Sequence, residues 1–451
     1  MRKERHLVVQ LESLEENAER LVSAALKAGA DQCDVVVTKG RSVGVSVREG
    51  KVENTGSAEG DDFYLRVFAG KRVATVSTNQ ISDLGMVAER AVAMARVSPE
   101  DPFQGLAAAE DLITTIPDLD LLESTPPDPE RLQEAALEAE EAGLAVSGVT
   151  KSMGASAGWG ISGFVLATSA GFSGSYARSG CSVSASMMSG EGETMERDYD
   201  FSSAVHREDV RSPAEIGRTA GERAVRRANP QKVASGAYPV IFDRRLSGGI
   251  LGSLLGAINA TSVARKTSFL RDRLGEQVAA AAITVTDDPL RKRGLGSRPF
   301  DGEGLACQPL TLIDKGQLTT WLLDGATARE LDLKTNARAS RSGSGTSPSS
   351  TNAWIANGEK SPEEMAKEIG TGLLCTETIG HGINMVTGDY SKGASGYWIE
   401  NGEITHPVAE ITIAGNLKDM FLAMTPANDL EFRGAINAPS LLIEGMTIGG
   451  K

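Results

Sequence analysis

Apolar residues recur at helical spacing through Leu14, Ala18, Leu21, Val22, Ala25 and Leu26, and Gly29 stops the run. The period then changes. DVVVTKG and SVGVSVREG read as two strands, and in the second Val43, Val45 and Val47 alternate with polar positions. DDFYLRVFAGKRVATVST reads as a hairpin turning at Ala69, Gly70 and Lys71, with Phe63, Leu65 and Val67 on one face. Helical period returns through Leu84, Val87, Ala88, Ala91 and Ala95. The order is helix, antiparallel strands, helix.

SPEDPFQGLAAAEDL is irregular and reads as a connection. DPERLQEAALEAEEAGLAV reads as a helix capped by Asp128. Strand material rich in small residues follows in GISGFVLATSAGFSGSYARSGCSVSASMMSG. Next comes a helix that Ser212 and Pro213 start and Asn229 and Pro230 stop. From AYPVIFD onward the chain is mostly strands, with turns at Asp314 to Gly316, Asn401-Gly402 and Glu444-Gly445. RSGSGTSPSSTN, within residues 340–352, has the composition of a flexible loop. These patterns predict an α+β protein. Residues 1–235 form an N-terminal α/β domain of antiparallel strands with flanking helices, and residues 236–451 a C-terminal strand-rich, mostly antiparallel β domain.

Composition narrows the function classes. The chain has 451 residues, 50 of them Gly, with 40% hydrophobic and 5% aromatic positions, which suits many tight turns and strands. The net charge of −14 repels a phosphate backbone, so a nucleic-acid partner is not expected. Arginines and lysines crowd residues 265–298, but Asp272, Glu276, Asp287 and Asp288 interleave with them, as on a solvated mixed-charge surface. Cys33, Cys181, Cys307 and Cys375 lie far apart with no C-x-x-C spacing, which predicts reduced thiols in a cytoplasmic protein. The basic N-terminus is followed by no apolar secretory segment, and no apolar run approaches membrane-spanning length.

Four histidines invite a search for chemistry. TETIGHG places Glu377 four positions before His381, a spacing that brings two metal ligands together only on a helix. Here Thr376, Thr378 and Ile379 are β-branched and Gly380 and Gly382 flank the histidine, so a polar turn beside a strand is expected. Met385 stands where G-x-G-x-x-G needs its third glycine, so no phosphate loop is read there. A zinc peptidase motif H-E-x-x-H needs Glu directly after His. The four histidines precede Leu7, Arg207, Gly382 and Pro407, so none can start that motif. His406, beside Pro407, reads as a surface strand position.

VTGDYSKGASGYWIENGEITHPVAEITIAGNLKDMF (386–421) resembles the PmbA (TldE) branch of the TldD/PmbA metallopeptidase family, also called modulators of DNA gyrase. SPEDPFQGL, ERDYDFSSA, GAYPVIFD and EGMTIGG support the resemblance over nearly the whole chain. It implies a cytoplasmic two-subunit peptidase in which the TldD-type paralogue carries zinc through a His-Glu-x-x-x-His helix and a distant Cys. The matching segment here is SGGILGSLLGAINATSVARK (247–266). It keeps an apolar helical pattern in Ile250, Leu254, Leu255 and Ile258 but holds no His, Glu or Cys.

The expectation is therefore a PmbA/TldE-like subunit of a TldD–TldE zinc peptidase acting on unfolded or extended peptides. This chain would be its non-catalytic partner, with no catalytic residue, metal or cofactor of its own. It would complete an enclosed chamber and present strand edges, as a heterodimer or also as a homodimer. Arg341, Asp389 and Tyr390 are the candidate substrate-binding residues. The alternatives are a self-sufficient metallopeptidase using His381, Glu377 and His406, and a non-proteolytic regulator that binds gyrase or another protein.

Overall fold

The computed structural model describes residues 4–79, 83–123, 125–343 and 345–451. Its N-terminal half contains α1 (Glu4–Lys27), β1 (Gln32–Arg48), β2 (Lys51–Ala69), β3 (Arg72–Thr78), α2 (Leu84–Val97), α3 (Pro129–Leu144), β4 (Val149–Thr168), β5 (Ser173–Ser189), β6 (Glu196–Ala204) and α4 (Pro213–Arg226). The six strands form one antiparallel sheet in the order β3-β2-β1-β4-β5-β6. The helix starts read at Asp128 and Ser212 form as expected, their side chains accepting from Glu130 N and Glu215 N, and Asp83 caps α2 in the same way by accepting from Met86 N.

The two expected strands DVVVTKG and SVGVSVREG are one continuous strand, because Gly40 and Arg41 stay paired with Gly60 and Glu59. Its odd-numbered valines therefore share one face along its whole length. Val35 and Val37 pack under α1 and α2 with Leu21, Leu65, Ala91 and Val165. Val45 and Val47 pack under α3 and α4 with Ala136, Trp159, Val183, Met187 and Ile216. The two helix pairs thus cover opposite ends of the same face. α3 and α4 run parallel and very close. A Cβ on Gly217 would lie 1.8 Å from the Ala139 carbonyl oxygen, so only glycine fits there.

The remainder contains β7 (Gly236–Phe242), α5 (Arg244–Ala257), α6 (Ala260–Ala264), β8 (Val285–Asp287), β9 (Leu310–Asp314), β10 (Gln317–Leu318), α7 (Gly325–Glu330), β11 (Ala339–Ser342), β12 (Gly345–Pro348), β13 (Ala353–Ile355), α8 (Pro362–Ile369), β14 (Gly372–Ile379), β15 (Asp389–Glu400), β16 (Glu403–Asn416), α9 (Leu417–Leu422), β17 (Met424–Pro426), β18 (Ile436–Asn437) and β19 (Leu441–Gly449). One sheet runs β16-β15-β14-β7-β19-β17, and a further β16–β19 pairing closes five of its strands into a barrel. β7 and β14 are parallel, joined by the long segment that runs from α5 to α8, and the other pairs of this sheet are antiparallel. A second sheet runs β10-β9-β8-β13-β18. The shared core includes Val240, Phe242, Leu251, Leu254, Ile313, Phe421 and Ile443. The whole is mixed α and β with mostly antiparallel sheets.

Three local expectations change. The segment read as a flexible loop forms the β11–β12 hairpin, because Ala339, Ser340 and Arg341 pair with Pro348, Ser347 and Thr346; Ser344, within it, lies outside the described residues. Glu444-Gly445 is a bulge inside β19 rather than a turn, since the register shifts between Ile443 and Met446 and Gly445 takes φ 73°. TETIGHG is only partly a turn: Thr376 to Ile379 belong to β14, and the chain turns at Gly380. Asn401-Gly402 is the expected tight turn, with φ 52° and 79°.

Candidate functional site between the sheet and the C-terminal barrel

The other face of the long sheet meets the C-terminal half. Near its upper end Val36, Leu166, Phe172 and Phe300 pack together with Tyr64 and Phe164, and Phe172 and Phe300 rings meet edge to face at 5.0 Å. The β11–β12 hairpin docks here. Arg341 donates from Nη1 and Nη2 to both oxygens of Asp34, at 3.0 and 2.5 Å, and Arg66 donates to the same carboxylate at 2.5 and 3.1 Å. All three side chains are within 3% of full burial. Burial opposes the Asp34 charge, but the Arg341 and Arg66 charges outweigh it and hold the carboxyl at about 2.

A second seam joins β6 to the barrel. Asp200 accepts from Arg211, Arg223 and Arg433 at 2.5, 3.0 and 2.5 Å, and Asp198 from Arg245 of α5 at 2.8 Å. Glu377 accepts from Arg227 at 2.5 Å and Arg197 at 3.2 Å. Burial works against the Asp200 charge, yet the Arg433 hydrogen bond and the neighbouring guanidiniums keep its carboxyl below the usual range. These arginines come from β6 (Arg197), the loop before α4 (Arg211), α4 (Arg223), the residue that ends it (Arg227), α5 (Arg245) and the loop before β18 (Arg433), so the network fixes the two halves against one another.

Between the seams the sheet face is bare. The register sets Gly40 opposite Gly60 and Gly160 opposite Gly180, and Ser42 and Ala58 extend the same small-residue surface. With Arg178 and Leu295 these residues border a groove of about 750 Å³. A Cβ at Gly60 or Gly180 would meet nothing within 4 Å, so the chain's own packing does not demand glycine there. Glycine inside a strand is destabilising by about 0.5–1 kcal/mol and often marks close approach by another molecule. Arg178 donates to the carbonyls of Gly294 and Leu295 at 3.3 and 2.5 Å, which ties the groove wall to the sheet. Further along the face, Tyr199 and Phe201 meet Arg244 and Gly248 of α5 and Arg433 around a cleft of about 130 Å³.

The expected site residues are not gathered. Arg341 is consumed by Asp34, 1% exposed. Tyr390 is 3% exposed in the barrel core, edge to face with Phe242 at 6.4 Å, and burial pushes its phenol well above the usual range. Asp389 is exposed, accepting from Thr387 at 2.6 Å and Asn416 at 3.1 Å. Sequence reading missed the glycine-floored groove, although glycines recur in all four strands that floor it; register alone aligns them.

The donor set does not fit a metal centre. Glu377 is committed to two arginines, His381 is exposed beyond the Gly380 turn, and His406 faces Thr405 at 3.0 Å. His206 packs on Asp120, 3.2 Å from its carboxylate. α5 carries no His, Glu or Cys, and among the described residues no three His, Cys, Asp or Glu side chains gather as a metal site. The four thiols are free and buried; burial pushes Cys33 up to about 12 and Cys181 to about 11. No helix of the described residues is long and apolar enough to cross a membrane.

A scaffold whose sheets are clamped by buried arginine–carboxylate seams, with a groove on the face of the long sheet, defines the class. Family models cover most of it: the PmbA/TldA metallopeptidase domain 1 at residues 33–95, the central domain at 122–228 and the C-terminal domain at 235–450. The chain belongs to the PmbA/TldD metallopeptidase family, on its PmbA branch. It is 36% identical to the metalloprotease PmbA of Escherichia coli O157:H7 over 99% of both chains, and 35% identical to a PmbA homolog of Haemophilus influenzae over 98% of both. A putative modulator of DNA gyrase from Bacteroides thetaiotaomicron superposes with TM-score 0.89 at 27% identity, covering 97% of this chain and 98% of that one. TldE from Thermococcus kodakarensis, at 20% identity and TM-score 0.85 over 96% of this chain and all of that one, shares the fold.

Proposed function

We propose that this chain is the zinc-free subunit of a heteromeric metallopeptidase acting on unfolded or extended peptides, with the metal supplied by a TldD-type paralogue. One observation carries the reading. α5, the helix that follows β7, turns Gly249 and Gly252 to its open side, where a metal-binding helix would need imidazole and carboxylate. A Cβ at Gly249 or Gly252 would meet nothing within 4 Å, so the helix has room for ligands and lacks them.

The chain's own contribution is then binding and enclosure. Small side chains on the sheet let a peptide backbone approach closely, and residues 54–60 of β2 leave their outer edge unpaired among the described residues. Ladder hydrogen bonds ignore side-chain identity, which suits unrelated unfolded substrates. Arg41, exposed beside the groove and without an ion-pair partner among the described residues, supplies a cation for acidic positions of a peptide. The subunit acts in the cytoplasm on protein rather than nucleic acid, as its acidic balance suggests.

The test is reconstitution. The pure chain should retain no stoichiometric zinc by elemental analysis and cleave no unfolded casein. Mixed with a zinc-bearing TldD-type paralogue it should form a complex and raise casein cleavage. Chelator-sensitive cleavage by the pure chain would defeat the proposal, as would the absence of any complex.

A further inference from the structure

A second cavity lies on the opposite face of the sheet from the groove, under the parallel N-terminal ends of α3 and α4. It measures about 550 Å³, within the roughly 300–1,000 Å³ typical of small-molecule sites. Its lining is contributed by Leu132 and Ala135 of α3, Ala157 and Trp159 of β4, Val183 of β5, and Val210 before α4. The same layer packs so tightly at Gly217 and Ala139 that no Cβ fits, so a space of this size a few turns away is not ordinary looseness.

Two groups at this cavity lack partners. Trp159 is 4% exposed, yet its indole Nε1–H finds no acceptor. A buried N–H left unmatched costs about 1–3 kcal/mol, which a bound acceptor would offset. At the rim, the other lining charges are neutralised: Arg207 pairs with Glu123 at 2.5 Å, Glu208 with Arg293 at 2.6 Å, and Arg211 with Asp200 at 2.5 Å. The Arg131 side chain, exposed on the first turn of α3, has no ion pair or hydrogen bond among the described residues. Both parallel helices also point their positive ends to this side. The Cys181 thiol, 3.9 Å from Glu123, is pushed up to about 11 and stays neutral, so it adds a small apolar surface.

We propose that this cavity binds a small amphipathic acid. An aromatic or branched aliphatic body fills the space beside Trp159, whose indole N–H donates to an acceptor on it, while Arg131 pairs with a carboxylate or sulfonate. The C-terminal residue of a peptide and a free organic acid share this chemistry. The site is independent of the peptidase reading, because it faces away from the groove and needs no partner subunit.

The full chain is titrated with 8-anilinonaphthalene-1-sulfonate by fluorescence, followed by displacement with N-acetyl-phenylalanine, its amide, and a peptide ending in phenylalanine. Saturable binding is expected, displaced by the acid and not by the amide. Displacement by the peptide would place its C-terminal residue in the site, whereas displacement by N-acetyl-phenylalanine alone would restrict the site to free acids. Arg131→Glu should weaken probe binding about tenfold or more. Trp159→Phe, which keeps the ring and removes the donor, should weaken it about twofold to tenfold, as loss of one hydrogen bond predicts. Ala135→Trp should fill the space and abolish binding. Should that variant misfold by circular dichroism, Arg131→Glu, at an exposed position, decides alone. Probe binding unchanged by Arg131→Glu, or displacement by the amide as well as by the acid, would overturn the proposal.

Discussion

The long N-terminal sheet is one fabric with two differently built ends. Over residues 32–38 of β1 both faces are covered: Val35 and Val37 by α1 and α2, Asp34 and Val36 by the hairpin and Phe300. Over residues 40–44 the odd face lies between the two helix pairs, and the even face carries Gly40, Ser42 and Gly44 with no core cluster upon it. Strand pairing is continuous through both regions, so hydrogen bonding does not distinguish them. Side-chain volume does. The upper end has the burial that holds a fold together, and the lower end gives up that burial, which is the composition expected where another molecule lies.

The sharpest test of that contrast is to break the upper clamp. Asp34→Ala leaves Arg66 and Arg341 buried without their shared carboxylate. Removing one partner of a buried ion pair costs about 3–5 kcal/mol. Urea unfolding should show a loss of that size, and a loss under 1 kcal/mol would mean the seam is dispensable. The barrel seam provides the matching control. Glu377→Ala should destabilise through Arg227, whereas His381→Ala, which removes an exposed side chain bonded to no neighbour among the described residues, should change stability by no more than about 0.5 kcal/mol.

Proton linkage gives the next effect. Glu303 sits near the upper clamp, accepting from Gly325 N at 2.7 Å, and burial followed by the Asp301 charge raises its carboxyl from 4.5 to about 7. A raised carboxyl favours the protonated folded state, so its stabilising contribution is full below about 4.5 and is lost as pH rises to about 7. Asp34 works in the opposite sense. Its depressed carboxyl stabilises above 3.8, and that contribution is lost as pH falls toward about 2. Thermal melts between pH 5 and 8 should therefore fall with pH, and Glu303→Gln should flatten that slope. An unchanged slope in the variant would remove Glu303 from the account.

How much of this could be read along the chain depended on sequence separation. Helix ends were legible because Asp128 and Ser212 bond two or three residues ahead. Asn401-Gly402 was legible for the same reason. Residues 51–60 of β2 were not read as a strand, because KVENTGSAEG has no alternation; all ten are exposed, so no face is selected for burial. The clamp was invisible, since Arg341 and Asp34 lie 307 positions apart, and Arg227 and Glu377 lie 150 apart. Glu377 did carry a local clue in the β-branched Thr376, Thr378 and Ile379, which favour a strand over a metal-binding helix.

The smallest effects test the comparison most directly, because one substitution should have opposite signs at the two ends. At the upper end Gly343 lies against the Tyr64 ring, and a Cβ would come within 2.2 Å of it. Gly343→Ala should cost about 1–3 kcal/mol through forced repacking. Gly60, at the lower end, has open space where its Cβ would stand and does not appear among the residues with positive φ. Gly60→Ala should therefore stabilise by about 0.4–1 kcal/mol, since it narrows only the unfolded ensemble. A bulkier Gly60→Leu should keep that stability yet, on the proposed function, lower casein cleavage in the reconstituted mixture, because the side chain fills the groove. If Gly60→Leu left casein cleavage untouched, the bare end of the sheet would not be where the substrate lies; if Gly60→Ala destabilised the chain, glycine there would answer to the fold after all.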